Sequence, residues 1–391
     1  MSLFFNGDND SLLNVTTTLD SNPYHSVMKI LADKYLYGLN QLIPDGVILD
    51  LYDPSDGLPN NVTNYDGLLI RTVTKINEKT LPDLGNIKFI GTATAGVDHV
   101  DRVYLERAGI FFACSEGCNA NAVGIYIITS ILKWATDQKT NIGSKKIGVV
   151  GCGHTGSSVI NHLNSLGVST IRYDPPKSIR DPRFESAELN ELLDCDILTF
   201  HTPLEDQGEY PTIHLCNSEW LQHGFDLILN ASRGGVVDED ALINAQNEGR
   251  VKDFILDVWE GEPLFTDLVA QRAFISTPHI AGYSVEAKIR ASEMVIDQLI
   301  QFFNPKESDI NSKFSQDLPS QNPGEISDSV KKLAVIASEL DTIQLSYRLW
   351  KLANIDMYDH KLRKLIGLKN SLKADAFAKL RSESKLRTEV L

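Results

Sequence analysis

Long apolar runs are missing from this 391-residue chain; none reaches the roughly 18 residues that a bilayer demands, so no membrane span is expected. Positive charge is also in short supply. The 37 Lys and Arg stand against 52 Asp and Glu, a net charge of −15, which removes the chain-wide basic footprint of a direct DNA or RNA binder. Cysteine is scarce too: Cys114, Cys118, Cys152, Cys195 and Cys216 are an odd number without zinc-ribbon spacing. That predicts buried reduced thiols and no metal. The first residues, Met1 to Asp8, lack the basic segment of a secretory signal, and a reducing, cytoplasmic setting is the expectation. What is present is an ordinary globular composition, 42% hydrophobic and 23% charged, in a chain long enough for two or three domains.

Residues 1–27 are polar and aperiodic and read as an N-terminal extension. From Met28 onward strand-like runs alternate with helical ones, at Met28–Leu31, Val47–Leu49, Leu68–Ile70 and Ile87–Gly91. This alternation predicts βαβ units and a parallel sheet. Asn119 to Trp134 is apolar on most sides and is expected to be a buried connector helix. A second series starts at Lys146–Val150 and continues at Thr170–Tyr173, Ile197–Phe200, Leu227–Asn230, Phe254–Asp257 and Phe274–Ser276. The predicted fold class is therefore α/β, with two doubly wound parallel sheets. Val285, Ile289, Ser292, Ile296, Leu299 and Phe303 mark one face of a long exit helix. Residues 304–324, with three prolines, read as a linker. The remainder is helical and ends basic, with nine Lys/Arg against three Asp/Glu from Lys361 on, a run best read as a solvated face. The expected division is 28–118 with 280–303, then 119–279, then 325–391.

Gly151, Gly153 and Gly156 form a G-x-G-x-x-G run between a strand and a helical stretch, the context in which that spacing has a mechanism. The first glycine turns the chain, the second admits a pyrophosphate, and the third lets helix approach strand. His154 and Thr155 complete the loop. Eighteen residues beyond Gly156, Asp174 ends the next strand, where a carboxylate accepts hydrogen bonds from ribose hydroxyls and repels a 2′-phosphate. NAD is thus expected over NADP. Thr202 and Pro203 follow an apolar strand and are expected to pass the cofactor, as are Ala231 and Ser232.

Three residues downstream suggest the chemistry. Arg233 follows a strand and is flanked by Gly234 and Gly235; Glu262 precedes Pro263; His279 lies in Thr277–Tyr283 between small residues. An arginine fork binds a carboxylate and polarises a C2 oxygen. A histidine, with an ordinary pKa near 6.5, takes a hydroxyl proton, and a carboxylate fixes its tautomer. This is the set needed for hydride transfer from a 2-hydroxy acid.

These residues, with Arg71–Glu78, Gly91–Asp101, Leu198–Leu204 and Thr277–Tyr283, resemble the D-2-hydroxyacid dehydrogenase family from about Met28 to about Phe303. The resemblance implies a flavodoxin-like substrate domain beside a Rossmann NAD-binding domain, and a small C-terminal α or α+β region through which a homodimer forms. It implies oxidation at C2 of a phosphorylated hydroxy acid, 4-phospho-D-erythronate by the closest motifs, on the way to pyridoxal phosphate. His279 is then the proton acceptor, Glu262 its partner and Arg233 the carboxylate contact. Thr72, Thr94 and Tyr283 match substrate positions, and Asp174, Asp257 and Gly282 match NAD positions. Arg71 and Lys75 are our phosphate candidates, and Thr94-Ala95-Gly96 is expected to open a helix whose free N–H groups receive an anion. The chain departs from the resemblance at Thr72, Glu116 and Ile125, where serine, proline and glutamate are usual. Rival readings are another D-2-hydroxyacid dehydrogenase, such as one acting on 3-phosphoglycerate, and a non-catalytic NAD-sensing module.

Overall fold

The computed structural model describes residues 27–303, 327–383 and 386–389. The linker at 304–324, and the N-terminal extension apart from Val27, lie outside them.

The first lobe is a five-stranded sheet of β1 (Lys29–Asp33), β2 (Ile48–Tyr52), β3 (Gly67–Ile70), β4 (Phe89–Thr92) and β5 (Phe111–Cys114), with α1 (Leu39–Leu42) and α2 (Arg102–Arg107) in its connections. Its order is β2-β1-β3-β4-β5 and every pairing is parallel. Parallel sheets need cover on both faces, and β3 and β4 are buried at every residue. Helix α3 (Ala120–Asp137) then leads into the second lobe.

That lobe holds β6 (Ile147–Val150), α4 (His154–Ser165), β7 (Thr170–Tyr173), α5 (Pro175–Arg180), α6 (Leu189–Leu193), β8 (Ile197–Phe200), β9 (Phe225–Asn230), α7 (Glu239–Asn247), β10 (Val251–Leu256), α8 (Asp267–Arg272) and β11 (Ile275–Ser276). Its six strands run parallel in the order β7-β6-β8-β9-β10-β11. The order reverses between β6 and β8, which opens a crevice at the carboxyl ends of the strands. The fold is α/β with two doubly wound parallel sheets, as its strand pattern predicts.

Helix α3 is buried nearly all round, consistent with its lack of a polar face. It approaches α4 so closely at Gly124 that a Cβ would lie 2.5 Å from Ser158 Oγ. Helix α9 (Val285–Phe303) returns to the first sheet, where Val295 fills the space left by Gly91 and the Ser115 hydroxyl donates to the Ala291 carbonyl at 2.6 Å. Its buried face runs through Ala287, Ala291, Val295 and Leu299, with Ser292 and Ile296 beside them. Val285, Ile289 and Phe303 are only half-buried, so the face is rotated from the expected one. Small residues win the close position because helix and strand touch there.

Four further helices, α10 (Asp328–Glu339), α11 (Thr342–Ala353), α12 (Ile355–Arg363) and α13 (Asn370–Ser382), make up most of the described C-terminal region, which ends in a non-helical segment at 386–389. They bury Leu333, Ile336, Leu345, Leu349 and Tyr358 in the core of the second lobe. Each such side chain contributes roughly 1.5–3 kcal/mol. Not all of the basic run is a solvated face: Arg363 donates to the Ala270 and Ala273 carbonyls, and Lys373 pairs with Asp267 at 2.5 Å. Arg387 is buried as well. These cations turn inward to acceptors on α8 and at the interlobe junction: the Ala270, Ala273, Ala281 and Ala122 carbonyls and the Asp267 carboxylate. The five cysteines are free thiols, and burial raises the pKa of each, to about 12 for Cys118 and Cys152.

Candidate active site

At the end of β6 the chain turns through Gly151, whose φ of +83° suits glycine. A Cβ on Gly156 would stand 1.9 Å from the Gly151 carbonyl oxygen, whereas one on Gly153 would meet nothing within 4 Å. Packing therefore requires the third glycine, while the second faces open space at the N-terminus of α4. The unpaired N–H groups of that helix end make a fit for a pyrophosphate. Asp174 stands beside this loop: Oδ2 accepts the Cys152 N–H at 2.8 Å and Oδ1 accepts the Lys177 N–H at 2.9 Å, capping α5. Thr155 is half-buried in the first turn of α4. His154 turns away from the loop, its ring against Gly117 and its Nδ1 3.5 Å from Glu116, so it joins the lobes. Thr202 packs its methyl toward Gly151, and exposed Pro203 follows it.

The turn after β9 is tied by Asn230, which accepts from the Ser232 N–H and hydroxyl at 3.0 and 2.7 Å and donates to the Arg233 carbonyl at 2.9 Å. Ala231 is half-buried and Ser232 is buried in this turn. Gly234 presses on the Trp259 carbonyl, where a Cβ would lie at 1.8 Å. The guanidinium of Arg233 is thereby sent across the cleft. Its Nε and Nη2 reach Asp98 Oδ2 of the first lobe at 3.3 and 3.2 Å, and Nη2 occupies the space over Gly96.

His279 Nδ1 lies 2.8 Å from Glu262 Oε2, and both side chains are partly exposed. Glu262 is steadied through Oε1, which accepts the Trp259 N–H at 3.3 Å. With Nδ1 engaged as the donor, Nε2 is left as the acceptor nitrogen. Asp257, expected at the cofactor, is 1% exposed. Its Oδ1 accepts from the Thr277 hydroxyl and the Ile280 N–H at 2.6 and 2.8 Å, and Oδ2 accepts the Ala281 N–H at 2.8 Å. It therefore clamps the loop that carries His279, with acceptor capacity remaining on Oδ2. Gly282 lets the Asn119 amide approach, since a Cβ would meet Nδ2 at 2.4 Å.

On the first lobe, Thr94 follows β4. Its Oγ1 bonds Thr92 Oγ1 at 2.9 Å and the Gly96 carbonyl at 2.8 Å, and Thr92 in turn meets His99 Nε2 at 2.9 Å. Burial lowers the His99 pKa and favours the neutral ring. The expected helix does not start at Thr94: residues 93–101 form a loop and α2 begins at Arg102, capped by Asp101. The carboxylate of Asp101 accepts the Tyr104 N–H and fixes the start there. The N–H groups of Ala95, Gly96 and Val97 still have no partner among the described residues. Arg71 is committed to buried Asp33 through two bonds of 2.7 and 3.2 Å. Lys75 and Thr72 are exposed. Tyr283 faces the C-terminal helices, its hydroxyl 3.3 Å from Arg381.

A family profile described as the D-isomer specific 2-hydroxyacid dehydrogenase, NAD binding domain, matches residues 129–281. The chain is 39% identical over 260 residues to an erythronate-4-phosphate dehydrogenase of Psychromonas ingrahamii, covering 66% of this chain and 68% of that protein. It is 41% identical over 249 residues to one from Escherichia coli strain 536, covering 63% and 66%. The chain belongs to the D-isomer-specific 2-hydroxyacid dehydrogenases, in the erythronate-4-phosphate dehydrogenase branch.

Solved dehydrogenases of this fold include the D-lactate dehydrogenase of Aquifex aeolicus complexed with NAD and lactic acid, at TM-score 0.54 and 22% identity over 72% of this chain and 97% of that one. Another is the NAD-dependent formate dehydrogenase of Staphylococcus aureus in complex with NAD, at TM-score 0.55 and 23% identity, covering 71% and 96%. The second lobe is the NAD-binding domain of such a dehydrogenase. Sequence reasoning missed Asp98 as the partner of Arg233, although it lies within the quoted run Gly91–Asp101. It also missed Glu239, a buried carboxyl under the Glu260–Glu262 turn that accepts the Glu260 N–H at 2.7 Å. Burial raises the pKa of Glu239 to about 7. No helix among the described residues is long and apolar enough to cross a membrane.

Proposed function

We propose that this chain catalyses the NAD-dependent oxidation of 4-phospho-D-erythronate at C2, the activity for which its branch is named, in the synthesis of pyridoxal phosphate. The observation that carries the reading is the pairing of His279 with Glu262 at 2.8 Å in a chain whose Arg233 reaches across the cleft to the other lobe. NAD, when bound, supplies the acceptor for the hydride leaving C2. Arg233 exchanges Asp98 for the substrate carboxylate and polarises the C2 oxygen. The free N–H groups of Ala95, Gly96 and Val97 receive the same carboxylate, with Thr94 shaping their loop. His279 Nε2 takes the hydroxyl proton, and Glu262 keeps Nδ1 protonated and stabilises the imidazolium that forms.

Lys75 is the stronger phosphate contact, because Arg71 already neutralises Asp33; Thr72 lies between them in sequence and supplies a hydroxyl. Asp174 accepts the ribose hydroxyls, and spare capacity on Asp257 accepts an amide. We further infer a homodimer through the C-terminal helices, where Ile343 and Tyr347 lie one turn apart on α11 and are 65% and 70% exposed. Light scattering at micromolar concentration should give twice the chain mass.

The test is NADH formation with 4-phospho-D-erythronate beside 3-phosphoglycerate and D-lactate, with the oxoacid product removed. Preference for the first acid supports the reading. Preference for another keeps the chemistry and replaces the substrate.

A further inference from the structure

The His279 loop is gripped from the far end of the chain. Residues 386–389 come back from α13 to the junction between the lobes, and Ser284 and Arg387 form a parallel bridge in which the Val285 N–H donates to the Arg387 carbonyl at 3.0 Å. The Arg387 side chain is buried there. Its Nε donates to the Tyr283 carbonyl at 3.1 Å, and its Nη2 to the carbonyls of Ala281 and, at 3.2 Å, Ala122. Asp257 holds the N–H groups of Ile280 and Ala281. The segment that follows His279 is therefore held through its N–H groups by a carboxylate and through its carbonyls by a guanidinium.

Such a grip has a reason. His279 has a φ of +57°, a left-handed conformation that is uncommon for a residue with a Cβ and persists where the surroundings over-determine it. Glu389 extends the same grip to both crossing helices: Oε1 accepts from Ser284 Oγ at 2.5 Å, and Oε2 from Asn121 Nδ2 at 2.5 Å and Arg290 Nη2 at 3.2 Å. Arg290 in turn donates to the Cys118 carbonyl. One short segment thus ties together the start of α3, the start of α9 and the catalytic loop.

We infer that Arg387 is a positioning residue for the hydride-transfer reaction, holding residues 279–284 in the conformation that presents His279 to the substrate. The inference rests on the proposed role of His279. A planar fork is required, because two nitrogens must reach three carbonyls on two segments; an ammonium on a flexible stem does not reproduce that geometry. Misplacement of a reacting group by about 1 Å lowers turnover by about a hundredfold.

The experiment uses the full chain with Arg387→Ala, Arg387→Lys and Glu389→Gln. Turnover per NAD-binding site is measured beside NAD affinity, and the downfield imidazole proton of the His279–Glu262 bond is followed by NMR, identified by its loss in His279→Gln. Arg387→Ala should lower turnover per site by about ten- to a hundredfold. NAD affinity should stay close to wild type, the imidazole proton should be lost, and millimolar guanidinium should restore part of the rate. Should Arg387→Ala not fold, Arg387→Lys carries the same test, with a smaller loss expected, and Glu389→Gln, which keeps the side-chain volume, should move the imidazole proton. Unchanged turnover per site, or an unchanged imidazole proton in folded variants, overturns the inference. A wild type that oxidises none of the three acids would defeat the proposed function instead, and the proton signal would still decide the role of Arg387.

Discussion

The two lobes share a plan, since β2-β1-β3-β4-β5 in one corresponds to β7-β6-β8-β9-β10 in the other, yet they arm the cleft by different means. The NAD lobe builds its share from backbone: Gly151 and Gly156 at the loop, Gly234 against Trp259, and Asp257 on the N–H groups beyond His279. The first lobe brings exposed polar side chains and a cation already paired, with Arg71 on Asp33, Asp98 across to Arg233, and Lys75 exposed. Backbone devices are fixed before any ligand arrives. The exposed pair of Arg233 with Asp98 exchanges partners at small cost. Under the proposed function, this difference gives the reaction to one lobe and the choice of substrate to the other.

Changes on the NAD side should therefore be severe. His279→Ala should reduce turnover by about 10²–10⁴-fold while NAD titration stays near wild type; a parallel loss of NAD affinity would make the residue structural. Gly156→Ala forces a methyl to within 1.9 Å of the Gly151 carbonyl oxygen. Its overpacking, about 1–3 kcal/mol, should weaken NAD binding by up to about a hundredfold in calorimetry.

Glu239 gives an effect of stability that has a defined sign. Its folded pKa of about 7 is raised above the ordinary carboxyl value, so the native state holds a proton that the unfolded state has released. That contribution is fully present below the unfolded pKa and is lost as pH rises through about 7. Glu239→Gln should match wild type at acid pH and be more stable at alkaline pH by on the order of 1–3 kcal/mol, as read by denaturant unfolding at both. Equal differences at the two pH values would remove the buried charge as the cause.

Smaller effects should follow at the edges of the site. Asp174→Ala should narrow the preference for NAD over NADP by about tenfold, the worth of one hydrogen bond to a charged group. Asp98→Ala frees Arg233 from an exposed pair, so the KM of a carboxylate substrate should fall by no more than about fivefold. A rise in KM would show that Asp98 helps to hold the guanidinium in place.

The same contrast governs what could be read from sequence. Glycine spacing, strand ends and apolar runs are local, so both sheets, α3 and the turn at Gly151 were legible, as was the nearness of Glu262 to His279, which stand 2.8 Å apart. What was not legible depends on distant partners. Arg71 meets Asp33 across 38 positions and Arg233 meets Asp98 across 135. The inward turn of Arg363, Lys373 and Arg387 likewise depends on carbonyls and carboxylates 90, 106 and 265 positions away, which a local charge count cannot see. The helix expected at Thr94 failed because Asp101, not Thr94, caps α2.

The division of labour is tested most directly by measuring kcat/KM for 4-phospho-D-erythronate and for D-erythronate, in the wild type and in Lys75→Ala. The account predicts that Lys75→Ala lowers the value for the phosphorylated acid by about tenfold, the loss of one charge-assisted contact, and leaves D-erythronate and NAD affinity unchanged. Equal losses for both acids would mean that the first lobe does not select the phosphate, and would contradict it.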